Sequence, residues 1–309
     1  MLAMTVIVFL GVNVIGNPVD ILINPDANHA ERAQLIAHYG LDQPLWRQYL
    51  TFLQGLAHGD FGNSFVHGRP ALGVILERLP ATLELALAAL GIAIVVGLPL
   101  GLYAGLYPER LSSRVIMSGS VLGFSLPTFW VGLMLVLVFA VELGWLPTNG
   151  RGTTAMLFGV EWSFLTKNGL SHLFLPALNL ALFKTSLILR LTRAGVREVV
   201  HQDYIKFARA KGLSETRIIF PHVVKNLMIP VVTIVGLEFG SLIAFSVVTE
   251  SIFVWPGMGK LIIDSINMLD RPVIVAYLMM MVCLFVVLNF VVDICYVLLD
   301  PRVRLDSKG

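Results

Sequence analysis

Charge is scarce in this chain. Asp, Glu, Lys and Arg make up 14% of its 309 residues, against roughly 25% in ordinary soluble domains. So few solvating groups do not cover a water-facing surface, which argues against a soluble two-domain enzyme, a disordered chain and a nucleic-acid-binding protein. Cysteine is nearly absent. Cys283 and Cys295 are the only two, and they lie about 18 Å apart along one apolar helix. They cannot bridge each other or build a metal cluster, and they read as small buried apolar residues. Signatures of chemistry are missing too. The seven histidines form no His-Glu-x-x-His zinc site, and no Gly-x-Ser-x-Gly turn occurs. Trp255 to Lys260 ends in Gly-Lys, but Val254 stands where a phosphate loop needs glycine; its Gly and Pro fit a re-entrant turn instead. No cofactor, metal or catalysis is expected in this chain.

What the chain has is apolar length. It is 56% hydrophobic with mean hydropathy +0.80. Apolar runs at about 1–16, 82–107, 115–141, 173–191, 227–249 and 273–299 approach or exceed the roughly 20 residues that cross a bilayer. The fold class expected is an all-α polytopic membrane protein with about six transmembrane helices in a lipid bilayer. The first run is short. It lacks both a basic lead-in and a small-x-small cleavage site, so it reads as a first transmembrane helix whose upstream end is missing or thin, rather than a signal peptide. Basic residues orient the spans. Eight lie between Arg190 and Lys225, Arg110 and Arg114 sit in the turn after the second run, and Arg302, Arg304 and Lys308 lie in the tail. On the opposite side, the 142–172 loop holds only Arg151 and Lys167, and the 250–272 loop only Lys260 and Arg271. The long 17–81 loop has four basic and six acidic residues but weighs little at that length. Six spans put all the basic loops on one side, with both termini cytoplasmic.

Glycines recur at four-residue spacing at Gly97, Gly101 and Gly105, at Gly119 and Gly123, and at Gly236 and Gly240. That spacing lets helix backbones approach closely in a bilayer. Ionisable residues within apolar runs are costly and are therefore candidates for function: Glu84, Lys184, Glu238 and Asp293. Glu84 and Asp293 lie near helix ends, where they can face water. Lys184 and Glu238 are deeper, and either pair with each other or line a polar route. Outside the spans, segment 17–81 carries a helix opened by Asn28 and Glu31 and closed by Gly40. A second helix begins at Pro44, and a turn-rich stretch from Gly59 to Ser64 follows. This external cap suits a lid, a docking platform or simple protection of the helices.

The stretch from Val199 to Gly212 stands apart. Val196, Val200, Tyr204 and Phe207 are spaced four, four and three, which puts them on one helical face. Gly212 suits the left-handed residue ending it, and Ser214 can cap a second short helix with Glu215 in its first turn. This is either a compact protrusion from the membrane domain or an interfacial helix touching anionic lipid. Asp203-Tyr204-Ile205 followed by Ala208-Arg209-Ala210-Lys211-Gly212-Leu213-Ser214 resembles the cytoplasmic loop of ABC importer permeases, and more narrowly the peptide-type group of dipeptide, oligopeptide, glutathione and nickel systems. Gly40 to Pro44, Gly59 to Ser64, Glu142 to Pro147, Pro230 to Thr233, Trp255 to Gly259 and Asp300 to Arg302 match in the same order. The wider superfamily has Glu-Ala-Ala where this chain has Lys206-Phe207-Ala208, and Ile and Pro where it has His222 and Lys225. Both departures are typical of the peptide-type group, whereas the missing basic lead-in departs from it.

The resemblance implies a type I importer permease fold and a multi-pass subunit of the bacterial cytoplasmic membrane. Its implied organisation is a first helix at 1–16, an external subdomain at 17–81, a transmembrane core at 82–299 with a coupling loop at 192–226, and a tail at 300–309. It further implies a second homologous permease subunit, two cytosolic ATPases that hydrolyse ATP in its place, and an external solute-binding protein. Asp203, Tyr204, Ala208, Arg209, Ala210, Lys211, Gly212 and Ser214 would form the ATPase-coupling surface. The rival from a different class, an ion-coupled secondary transporter, would instead depend on Lys184, Glu238 or Asp293.

Overall fold

The computed structural model describes residues 2–14, 33, 36–37 and 42–299. Most of the expected helix over 28–40 and the tail from Asp300 lie outside the described residues. Apart from a small hairpin, the regular elements of the described chain are helices. In order it runs α1 (Leu2–Val14), α2 (Leu45–Ala57), α3 (Ala71–Leu106), α4 (Leu111–Ser125) and α5 (Thr128–Leu135), which continues as a π-helical turn over Val136–Glu142. After β1 (Ala155–Leu157) and β2 (Val160–Trp162) come α6 (Lys167–Val200), α7 (Asp203–Ala210) and α8 (Glu215–Ile218). A second π-helical turn at Ile219–Val224 leads to α9 (Lys225–Ile252), α10 (Met258–Asn267) and α11 (Arg271–Leu299).

Four of the described helices are long and apolar enough to cross a membrane: α3, α6, the Pro230–Ile252 part of α9 and the Arg271–Ile294 part of α11. A fifth crossing exists only if α4 and α5 count as one, and they are bent by 104°. The continuous span expected over 115–141 is therefore broken. The reason is Pro127, whose ring drives the residue before it out of helical geometry; Leu126 is extended at φ −81°, ψ 136°. α1 has 13 residues, about 20 Å of helix, and falls short of the roughly 30 Å hydrocarbon layer. α6 extends well beyond the expected run and carries Pro176 inside it without ending there.

The chain divides into two compact units, one of residues 1–82 and 256–284, the other of residues 83–255 and 285–309. In the first, the Thr5 and Tyr49 hydroxyls share a 2.8 Å hydrogen bond, and Phe9 packs its ring against Tyr49 and Phe52. The turn at Gly59 to Ser64 forms as its composition predicts, with Gly59 and Gly62 at φ +71° and +80°. Its anchor is Asp270, a buried carboxylate that accepts from Ser64 Oγ at 2.5 Å and from the Phe65 amide at 3.1 Å. Pro256 and Gly257 lead into α10, a ten-residue helix that buries Met258, Leu261 and Ile262.

In the second unit α6 is central: 61% of its most apolar stretch is buried, against 33% or less in the other spans. The glycine stripe of α3 lies directly on it. A methyl group on Gly101 would stand 2.6 Å from the Leu189 carbonyl oxygen and from Thr192 Cβ, and one on Gly105 would stand 2.7 Å from Val196. Gly236 and Gly240 receive Val292 and Phe285 of α11 in the same way, and Gly123 meets Ser186, whereas Gly119 faces open space. Cys283 is on the exposed side of α11, not in a core.

Glu84 does not face water. It is 2% exposed, accepts from the Arg151 guanidinium at 2.7 and 3.1 Å, and accepts from the Ser163 and Phe164 amides at 2.8 and 2.7 Å. Arg151 also donates to the Glu161 carbonyl at 2.8 Å, so this one carboxylate ties the β-hairpin to α3. Asp293 is exposed on α11.

The glycine stripe makes a stability prediction. Gly101→Ala overpacks a rigid backbone contact and should cost about 1–3 kcal/mol, while Gly119→Ala should be neutral or slightly stabilising. Thermal unfolding of the two variants in detergent measures the difference.

Candidate functional site: the two-helix projection at 201–224

α6 ends at Val200, and the chain leaves helical geometry at Gln202, φ −66° and ψ 148°, before α7 restarts at Asp203. One extended residue resets the rotational phase. The face expected from a continuous helix, Val196 with Val200, Tyr204 and Phe207, is therefore split. Val196 stays buried, but Ile205 and Ala208 become the inward residues of α7 at 0% and 7% exposure, while Tyr204 and Phe207 turn outward at 43% and 62%. The inward pair joins Ile218, Val223, Leu227 and Val231 in one core, with Leu98, Leu102 and Leu106 of α3 packed against it. The projection is thus rooted on α3, α6 and α9 together.

Gly212 is at φ +76°. Its amide donates to the Arg209 carbonyl at 2.9 Å, and the Leu213 amide donates to that of Ala208 at 3.3 Å. This paired pattern is the glycine-ended helix stop anticipated from the sequence. Ser214 stands at the head of α8, but its side chain caps no amide; its hydroxyl lies 3.2 Å from that of Thr216. Glu215 instead accepts from Arg209 Nε and Nη2 at 2.9 and 3.3 Å, a brace that fixes α8 to α7. Lys206 donates to Asp203 at 2.9 Å, and this hydrogen bond holds the Asp203 carboxyl below the usual carboxylate range. Tyr204 accepts from Asn226 at 2.8 Å, and the Lys211 ammonium covers the Phe207 ring at 4.5 Å. Ala210 and Lys211 are exposed.

The outer surface is therefore aromatic and basic, on a base that is apolar and close-packed. Tyr204, Phe207, Leu213 and Phe220 are its exposed apolar groups. Lys206, Arg209, Lys211 and Arg217 supply four cations against the carboxylates of Asp203 and Glu215. Lys184 and Glu238 lie elsewhere, on α6 and α9, where the Lys184 ammonium contacts the Glu238 carboxylate. Sequence reasoning missed the outward turn of Phe207. The signal available was Gln202-Asp203, a polar pair that favours restarting a helix over continuing one.

The architecture matches solved ABC importers. An inward-facing structure of the MetNI methionine ABC transporter superposes with a TM-score of 0.56 at 14% identity, covering 74% of this chain and 96% of that one. A crystal structure of an amino acid ABC transporter with histidines gives 0.52 at 15% identity, covering 72% and 93%. The fold is that of the membrane subunit of a type I ABC importer. The family of binding-protein-dependent transport system inner membrane components matches residues 97–305, and the chain belongs to that family. It is 40% identical over 290 residues to the oligopeptide transport system permease protein AppB of Bacillus subtilis (strain 168), covering 94% of this chain and 90% of that protein. The di/tripeptide transport system permease protein DppB of Pseudomonas aeruginosa (strain UCBPP-PA14) is 39% identical over 306 residues, with 94% and 90% covered. The glutathione transport system permease protein GsiC of Escherichia coli (strain K12) is 38% identical over 302 residues, with 97% and 93% covered.

The phase of α7 predicts opposite consequences for neighbouring residues. Ile205→Ala should lower stability by about 2–5 kcal/mol, as for a core truncation, and Phe207→Ala by less than about 0.5 kcal/mol, as at a surface site. Thermal unfolding of the detergent-purified chain reads both.

Proposed function

We propose that this chain is one of two permease subunits of an ATP-driven importer for peptides or a peptide-like solute in the bacterial cytoplasmic membrane. The second permease subunit is a homologue, two cytosolic ATPases hydrolyse the ATP, and an external binding protein delivers the solute. The chain itself performs no catalysis. Its three relatives above are named for oligopeptides, di/tripeptides and glutathione, all of them small peptides. The distribution of Lys and Arg supports cytoplasmic termini and a cytoplasmic 201–224 projection.

The observation that carries the coupling role is the outward pair Tyr204 and Phe207 on a helix whose other face is fixed in the core. Exposed aromatic residues ringed by cations suit a partner cleft that buries the rings and answers the charge with carboxylates. Ala208 seats the projection, Gly212 lets the chain turn, and the Arg209–Glu215 brace keeps α7 and α8 at one angle. Asp203, Tyr204, Ala210, Lys211 and Ser214 present the surface. When the ATPases close on nucleotide, such a knuckle moves as a rigid body and carries α3, α6 and α9 with it. An ion-coupled carrier has no use for this surface.

In the assembled transporter, Phe207→Asp should weaken ATPase association by about 30-fold, the loss of an interface anchor worth about 2 kcal/mol. Gly212→Asp, which forces a side chain into the left-handed turn, should also abolish uptake. Both chains should still insert. Normal ATPase binding and uptake in both variants would refute the coupling role.

A further inference from the structure

Within the spanning helices of the second unit, Lys184 of α6 and Glu238 of α9 form an ion pair completed by Ser241. The Lys184 ammonium donates to Ser241 Oγ at 2.7 Å, and Ser241 Oγ lies 2.8 Å from the Glu238 carboxylate. Glu238 and Ser241 are three residues apart on one face of α9. Gly236, two residues before Glu238, is about 200° away around the helix and packs on α11. Glu238 therefore turns away from that packed seam. Its side chain is 22% exposed, against 9% for Lys184, so the pair opens on the carboxylate side. Beside it runs an aromatic track. The Lys184 ammonium lies 5.3 Å from the Phe183 ring, Phe183 stacks on Phe124 at 4.5 Å, and the Arg190 guanidinium covers Phe124 at 4.4 Å. Phe124 is 41% exposed.

Helix packing alone does not require these charges. An ion pair taken out of water is commonly matched or bettered by apolar residues of the same volume, and charge within a span is costly and marks pathways. What such a pair does provide is selectivity. A cation or an anion entering alone would strand one member of the pair without a counter-charge. A ligand carrying both an ammonium and a carboxylate can open the pair and leave every charge answered. Resting on the peptide-importer reading above, we propose that Lys184, Glu238 and Ser241 form a transit site for free-ended, zwitterionic peptides. Glu238 receives the α-ammonium, Lys184 the α-carboxylate with Ser241 beside it, and the exposed Phe124 ring offers apolar ground for a side chain.

The test is uptake of radiolabelled trialanine by the complete transporter in proteoliposomes, with the same binding protein throughout so that its own selectivity cancels. In the neutral double variant Lys184→Met/Glu238→Gln, uptake should fall at least about tenfold, the loss of a charge-assisted contact, while binding-protein-stimulated ATP hydrolysis stays near wild type. The exchanged variant Lys184→Glu/Glu238→Lys keeps both charges and should recover most of the uptake. Undiminished uptake by the neutral variant overturns the site. If that variant fails to insert, the exchanged one decides: inserted and hydrolysing ATP but without uptake, it overturns the site as well. A wild-type transporter that hydrolyses ATP yet moves no trialanine strikes the peptide reading itself, a result distinct from loss in the variants alone.

Discussion

The second unit depends on how closely α3 approaches α6. In a bilayer no hydrophobic force drives two apolar helices together, because lipid is as apolar as they are; association comes from van der Waals contact at short range. Gly97, Gly101 and Gly105 provide that contact by removing every Cβ on one stripe of α3. The stripe ends against Val196, which is itself fully buried and belongs to the core beneath the 201–224 projection. The same seam that joins the spans thus continues into the base of the 201–224 projection.

Charge in this chain is handled by a second rule. Glu84, Asp270 and Lys184 are each buried, and each is met by specific donors or acceptors. Glu84 and Asp270 hold turns and a hairpin to helices through backbone amides and hydroxyls, a job that an apolar residue cannot perform. The Lys184–Glu238 pair joins two helices that already pack closely, since the Leu227 side chain of α9 fills the space beside Gly195 of α6. That redundancy separates it from the other two and is the reason to assign it a ligand.

Two parts of the second unit differ in how regularly they are built. The projection has a core of Ile205, Ala208, Ile218 and Leu227 and the Arg209–Glu215 brace, the stiffness that the proposed coupling role requires. The broken segment between α4 and α5 has the opposite character. Its 104° bend at Leu126 and Pro127 interrupts the ladder of helix hydrogen bonds, and the π-helical turn that follows departs from it again. Phe124 lies just before the bend and stacks on Phe183, whose ring lies under the Lys184 ammonium.

Much of this was legible in the residues. Hydropathy marked the long helices because burial in lipid is a sum over some twenty side chains and tolerates local error. The glycine stripes announced close contacts at every position but Gly119, because a Cβ there would collide with the neighbouring helix, and Gly212 announced its turn because only glycine takes a positive φ without strain. Phase was not legible, and partnership only in part: the pairing of Lys184 with Glu238 was one of two readings the residues left open, and it forms. A single extended residue at Gln202 exchanged the inner and outer faces of α7, and Pro127 folded one expected span into two. Glu84 found Arg151 sixty-seven positions away. The sequence by itself determined which segments are apolar, where backbones can touch and where helices stop, since these follow from local composition and sterics. Only the tertiary structure decided which aromatic rings face outward and which charges meet, because those depend on rotations and distances that accumulate over many residues.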